Sequence, residues 1–207
     1  IELILTTSIG EMLPLLKGTI TNFVVRKVKK MVPSYQLPNE IKFATALKEG
    51  KRATLQKHKG KGDETILIQY TGGTTGVAKG ALLTNRNLIA NMLQVKEMMI
   101  PFVEKGKETM LCPLPMYHIY AFTVNTLCAI YNGFHSVLIT NPRDLSTIVS
   151  AFQKHPITMI TGVNTLYNAL LNNEAFTKLD LTGLKVASAG GMALQDAVAD
   201  RWQEITG

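Results

Sequence analysis

Charge is missing from the middle of this chain. Between Thr109 and Pro142 there is no Lys, Arg, Asp or Glu. A stretch of that length is enough to cross a bilayer. However, Pro113, Pro115, His118, Asn125, Asn132, Gly133 and His135 interrupt it, and such residues divide it into a strand, a loop, a helix and another strand. It reads as buried α/β core, not as a membrane span. Cysteine is scarce too. Cys112 and Cys128 both lie inside apolar runs, so they read as buried, reduced thiols of a cytosolic protein, and no zinc-ligand spacing is present. A secretory signal is lacking, because no basic segment precedes the apolar run in "IELILTTSIGEML". The chain opens in mid-strand and stops at Gly207 just after a predicted helix. It is therefore expected to be a piece of something longer.

What is present is a globular composition. The 207 residues are 46% apolar and 18% charged, which argues for a well-filled core and against disorder. The net charge of +7 is uneven. Residues 1–62 carry 12 Lys/Arg against 4 Asp/Glu, a net of +8, and residues 63–207 carry 10 against 11, a net of −1. The excess sits in "VVRKVKKMV" (24–32) and "KEGKRATLQKHKGKG" (48–62). Such clusters attract nucleic acid or an anionic membrane surface. No aromatic residues interleave them, so a nucleic-acid platform is not expected. A solvated linker is the other reading.

Residues 1–62 look like an irregular, basic leading segment of the domain, with one amphipathic helix over "TITNFVVRKVKKMV" that sets Ile20, Phe23, Val24 and Val28 on one side. From residue 63 the pattern becomes regular. Strands are predicted at 65–71, 80–84, 109–114, 135–140, 157–163 and 184–190 from their β-branched and apolar content. Helices are predicted at 85–99 with Asn85 as cap, at 121–132 ended by Gly133, at 144–155 begun by Asp144, at 164–173 and at 193–206. Continuous apolar strands alternating with helices predict an α/β fold, a mostly parallel sheet flanked by helices. Residues 63–207 form its regular α/β part.

One stretch, "QYTGGTTGVAKGALLTN" (69–85), gathers glycines, threonines and a lysine between two predicted strands. It is not a Walker A loop, since Lys79 is followed by Gly80. Nor is it a dinucleotide fingerprint, since Gly72 and Gly73 are adjacent. Glycines let successive N–H groups turn toward one anion. The hydroxyls of Thr71, Thr74 and Thr75 can donate to phosphate or ligate Mg²⁺, and Lys79 adds a mobile positive charge. A phosphate loop is the functional reading and a flexible hairpin the structural one.

This stretch closely resembles the phosphate-loop signature of the adenylate-forming superfamily, Y-T-S/G-G-T-T-G-x-P-K-G, found in acyl-CoA synthetases, luciferases and peptide-synthetase adenylation domains. Gly72 stands where Ser or Thr is common, and Ala78 where Pro is usual. Both departures, together with "LPMYHIYAFT", "LITNPRD", "ITGVNTLYNALLNN" and "SAGGMALQDAVADRW", resemble the bacterial long-chain fatty acid–CoA ligase branch. The resemblance covers nearly the whole chain.

It implies that the chain is part of the large N-terminal domain of such a ligase, which joins a long-chain fatty acid, ATP and CoA through an acyl-adenylate. It implies that Thr71, Gly72, Gly73, Thr74, Thr75, Gly76 and Lys79 hold the ATP phosphates, with Thr71 the candidate Mg²⁺ contact and Lys79 a catalytic helper. His118 would stand near the acyl carboxylate or the gate to its tunnel, the alternative being a structural histidine. Tyr117 and Tyr120 would be tunnel wall or ordinary core. Gly162, Val163 and Asn164 would line the acyl pocket at a strand end, Val163 equally well serving the core. Gly190, Gly191 and Met192 would present backbone to adenine. The glutamate that holds Mg²⁺, the ribose-binding aspartate and the small C-terminal domain with its lysine are not in this sequence, so the chain alone is expected to be inactive. The resemblance also implies a cytoplasmic enzyme peripheral to the inner face of the cell membrane, and it allows a homodimer. A fatty acyl–AMP ligase serving a carrier protein and a non-catalytic nucleotide-binding module are the alternatives.

Overall fold

The computed structural model describes residues 3–71 and 78–207. The chain divides into two compact units, Ile1–Lys59 and Gly60–Gly207.

In the first unit, β1 (Ile4–Thr6) and β2 (Glu40–Lys42) pair in parallel. Between them runs α1 (Leu15–Phe23), continued by a π-helical stretch, π1 (Val24–Val28), and α2 (Phe43–Gly50) follows β2. The segment expected to be irregular thus has regular structure. Its strands are three residues long and pair across a wide sequence gap, which gives local periodicity nothing to detect. Polar side chains tie the unit together. The Glu11 carboxylate accepts from the Thr7 hydroxyl at 2.6 Å and from the Ala44 N–H at 2.9 Å, and Asn22 Oδ1 accepts from the Gly10 N–H at 2.9 Å. The helix starts earlier than predicted and ends at Val28 rather than Val32.

The second unit opens with an antiparallel hairpin, β3 (Thr65–Thr71) and β4 (Lys79–Thr84), which pairs Thr71 with Lys79. α3 (Asn85–Met99) follows directly. Its cap is Thr84, not Asn85. Thr84 Oγ1 accepts from the Asn87 N–H at 3.3 Å, and Asn87 Oδ1 accepts from the Thr84 N–H at 3.0 Å. This is a reciprocal capping box with Asn in the place of the usual Glu. Asn85 instead donates to the Lys61 carbonyl at 3.0 Å.

The remaining strands form one parallel sheet in the order β6 (His135–Leu138), β5 (Thr109–Cys112), β7 (Met159–Gly162), β8 (Val186–Ala189). Each is shorter than its apolar run, because the ends of the runs continue into loops or caps. β5 and β7 are buried along their whole length. Alternation sends successive side chains to opposite faces. Leu111 and Ile160 join Ile148, Leu170, Phe176 and Trp202 in one cluster. Met110, Cys112 and Met159 join Met99, Val124 and Phe134 in the other. The first cluster is covered by α6 (Leu145–Lys154), α7 (Asn164–Leu171), α8 (Glu174–Thr177) and α9 (Asp196–Thr206). The second is covered by α3 and by a continuous helical run made of α4 (Ile119–Ala121), π2 (Phe122–Cys128) and α5 (Ala129–Asn132). The expected parallel α/β sheet flanked by helices is therefore what forms. Each fully buried Leu or Ile contributes about 1.5–3 kcal/mol to holding it. Gly133, at φ +68°, ends α5 in the left-handed region, where glycine has no Cβ to clash. Asp144 caps α6 by accepting from the Ser146 N–H at 3.1 Å. Among the described residues no helix is long and apolar enough to cross a membrane.

Candidate functional site

Parallel strands leave their C-terminal ends open to ligands. Here the loops after β5, β7 and β8 carry three of the predicted motifs. After β5, two prolines lead to His118, which caps α4. Its Nδ1 accepts from the Tyr120 N–H at 3.3 Å. A neutral ring accepting at Nδ1 carries its proton on Nε2, and the exposed imidazole can present that N–H outward.

β7 ends at Gly162, and Val163 then leads into Asn164, the first residue of α7. A Cβ on Gly162 would lie 2.8 Å from the Tyr167 ring and would force that ring to shift. Val163 is half-buried, precedes α7 and packs against the core. Asn164 Oδ1 accepts from the Gln195 N–H at 3.0 Å, which ties the β7 end to the loop before α9. The Gly162 carbonyl accepts from the Gly190 N–H at 3.2 Å. Gly191 has φ +81°, which turns the chain after β8, and Met192 is exposed.

Tyrosines bind these ends together. The Tyr120 hydroxyl lies 2.8 Å from Ser188 Oγ and 3.0 Å from the Ser188 carbonyl, and the Tyr167 hydroxyl donates to the same carbonyl at 2.7 Å. The Tyr120 ring occupies the space above Gly190, where a Cβ would meet it at 2.8 Å. Burial pushes the Tyr120 hydroxyl above its ordinary pKa against the opposing Ser188 bond. Burial pushes Tyr167 up as well, with Tyr120 adding to the effect. Both are neutral phenols near pH 7 and act as donors, not bases. Tyr117 is exposed and belongs to neither core nor cluster. Ser188, Tyr167 and the hydroxyl of Tyr120 are the strand-end groups that sequence reasoning missed. Their one signal was the glycines at 162 and 190, which mark close approach by a large side chain.

Beside this cluster a groove of about 540 Å³ runs along β8. Val95, Met99 and Phe102 line it from α3 and the residues after it, Val124 from π2, and Asn91, Tyr120, Thr123 and Ser188 are its polar residues. Most of its lining is apolar.

The hairpin presents Thr71 and Lys79 opposite each other, both exposed, with Thr71 Oγ1 donating to the Lys79 carbonyl at 3.4 Å. Gly72, Gly73, Thr74, Thr75 and Gly76 lie outside the described residues. Among the described residues no hydrogen bond or ion pair joins Thr71 or Lys79 to the strand-end cluster, and no three His, Cys, Asp or Glu side chains gather to cage a metal. Thr71 Oγ1 can supply one oxygen to an Mg²⁺ that is held mainly by nucleotide phosphates, the usual arrangement for that ion.

The family model described as AMP-binding enzyme matches residues 11–207. The chain belongs to this family. It is 48% identical over 204 residues to a long-chain-fatty-acid–CoA ligase of Yersinia pestis, covering 99% of this chain and 36% of that protein. It is 47% identical over 207 residues to one of Salmonella typhimurium, covering 100% of this chain and 37% of that protein. It thus spans little more than a third of these relatives. Among solved structures, a fatty acyl-adenylate ligase from L. pneumophila in complex with acyl adenylate and pyrophosphate superposes with a TM-score of 0.68 at 19% identity, over 87% of this chain and 33% of that one. That likeness establishes the fold.

Proposed function

We propose that this chain is the nucleotide- and acyl-binding part of an enzyme that activates a long-chain fatty acid with ATP, first to the acyl-adenylate and then to acyl-CoA. The observation that carries the reading is the largely apolar groove along β8, lined in part by Tyr120 and Ser188, next to the Gly190–Gly191 turn. The fatty tail lies in the groove. Its carboxylate emerges near His118, whose Nε2–H orients it for attack on the α-phosphate and supports the acyl oxyanion that forms when the CoA thiolate later adds. Gly162 to Asn164 bound the acyl site from the neighbouring strand end, and the backbone at Gly190, Gly191 and Met192 faces adenine. Thr71, residues 72–76 and Lys79 hold the β- and γ-phosphates, so that charge on departing pyrophosphate is compensated. Bound Mg²⁺ would neutralise phosphate charge at Thr71. The test is product analysis by mass spectrometry. Full-length protein incubated with palmitate, ATP, Mg²⁺ and CoA is expected to yield palmitoyl-CoA and AMP. Acyl-adenylate that accumulates whether or not CoA is added would favour a fatty acyl–AMP ligase, and no product with any carboxylate would favour a nucleotide-binding module.

The same reading has the enzyme meet its substrate at the cytoplasmic face of the cell membrane. Leu16, Ile20, Phe23 and Val28 are exposed along α1 and π1, and Lys17, Arg26, Lys27, Lys29 and Lys30 flank them. An apolar stripe bordered by cations suits an anionic lipid surface. Binding to liposomes rich in anionic lipid is expected to fall when Lys27, Lys29 and Lys30 are changed to Glu. Unchanged binding would refute this contact.

A further inference from the structure

Two polar side chains lie in the apolar interior beneath the site. Asn125 is 1% exposed and Thr161 is 2% exposed. Asn125 Nδ2 donates to Thr161 Oγ1 at 2.9 Å, while Asn125 Oδ1 has no hydrogen-bond partner among the described residues. As a stability device this arrangement is poor. A buried acceptor left unpaired costs its desolvation, whereas an apolar pair of the same shape would be close to neutral. What the pair adds is direction. Apolar contacts let a helix rotate or slide, and a hydrogen bond fixes one rotation and one height.

The two residues stand where direction matters. Asn125 is at the centre of π2, where Thr123, Val124 and Asn125 are buried in succession. A π-turn packs an extra residue into the helical turn and recurs at functional sites. The same helical run begins at the His118 cap and carries Tyr120. Thr161 is the residue before Gly162 in β7.

We infer that Asn125 and Thr161 are positioning residues, their hydrogen bond setting the helix that presents His118 and Tyr120 against the strand end that presents Gly162, Val163 and Asn164. The inference rests on the acyl-activating reading of that site. It assigns the pair no contact with substrate.

The experiment uses the full-length protein with N125L, T161V, the double variant N125L/T161V, and T161S, which keeps the hydroxyl. Urea unfolding is expected to register a loss for each single apolar variant and recovery of most of it in the double variant. Two readouts then separate positioning from packing. In substrate-free protein, amide hydrogen exchange over residues 116–122 and 160–165 is expected to be about tenfold faster in the double variant. The KM for palmitate in ATP–pyrophosphate exchange is expected to rise about tenfold in that variant, while T161S matches the parent. A double variant with parental stability, parental amide exchange and parental KM would overturn the inference, as would T161S sharing the defects of T161V. If the parent shows no palmitate-dependent exchange, the acyl-activating reading fails, and the amide-exchange arm still decides whether the pair positions these segments.

Discussion

Gly190→Ala tests one of the two closest approaches in the site. An added Cβ would lie 2.8 Å from Tyr120 Cζ, 2.9 Å from Cε2 and 3.0 Å from Cε1. Ordinary carbon contacts begin near 3.5 Å, so the ring must retreat by about 0.7 Å. It is not free to do so, because its hydroxyl is held at 2.8 Å from Ser188 Oγ and 3.0 Å from the Ser188 carbonyl. A retreat of that size stretches both bonds past a useful length of about 3.2 Å. Overpacking costs about 1–3 kcal/mol, and the lost hydrogen bond adds about 1 kcal/mol. Together they predict a destabilisation of about 2–4 kcal/mol, read by urea unfolding of the full-length protein. Tyr120→Phe, which keeps the ring and loses only the hydroxyl, is expected to cost about 1 kcal/mol. The decisive arm is a double-mutant cycle. In a Tyr120→Ala background the clash has no partner, so Gly190→Ala is expected to cost less than about 0.5 kcal/mol. An equal cost in both backgrounds would refute the proposed contact.

Other perturbations address the frame around the site. Glu108 is buried with Lys185 Nζ 2.9 Å from its Oε1. Burial alone would raise its pKa, but hydrogen bonds from the Glu104 N–H and Lys185, with the lysine's charge, outweigh that and lower it. Its stabilising contribution is therefore complete above the ordinary value of 4.5 and fades as pH falls through the lowered folded value. Lys185→Met is expected to cost about 1–3 kcal/mol at pH 7, the half-exposed lysine favouring the low end, and much less near pH 3, as urea midpoints would register. Burial pushes the Cys112 and Cys128 thiols from 9.0 to about 11. Their contribution is whole below pH 9 and is lost as pH rises toward about 11. Replacing both by Ala is expected to flatten that alkaline decline in stability, with Tyr120 and Tyr167 supplying what remains. Thr84→Ala removes the α3 cap and is expected to cost about 1 kcal/mol in thermal unfolding.

The second unit was largely legible because its strands are apolar runs and its stops are chemical. The β-branched run 65–71 forms β3 over those same residues. Gly133 and Asp144 end and begin helices as their backbone and side-chain chemistry requires. Strand ends were overrun because burial continues past the last ladder hydrogen bond, as at Pro113 after Cys112. The leading segment was misread because β1 and β2 are short and pair across distant sequence. π1 and π2 have no periodic signature, and neither does the sheet order β6-β5-β7-β8. At the site, the motifs pointed to the loops that carry Gly162 and Gly190, and the structure brings those loops together. Tyr120 read equally as tunnel wall or core and Tyr167 drew no reading, because a hydroxyl bonded to a distant carbonyl leaves no trace in spacing.

The central claim is carboxylate activation, and ATP–pyrophosphate exchange by the full-length protein tests it most directly. With labelled pyrophosphate, ATP and Mg²⁺, the account predicts negligible exchange without fatty acid and robust exchange with palmitate. Exchange that fails with every carboxylate while ATP still binds would contradict it.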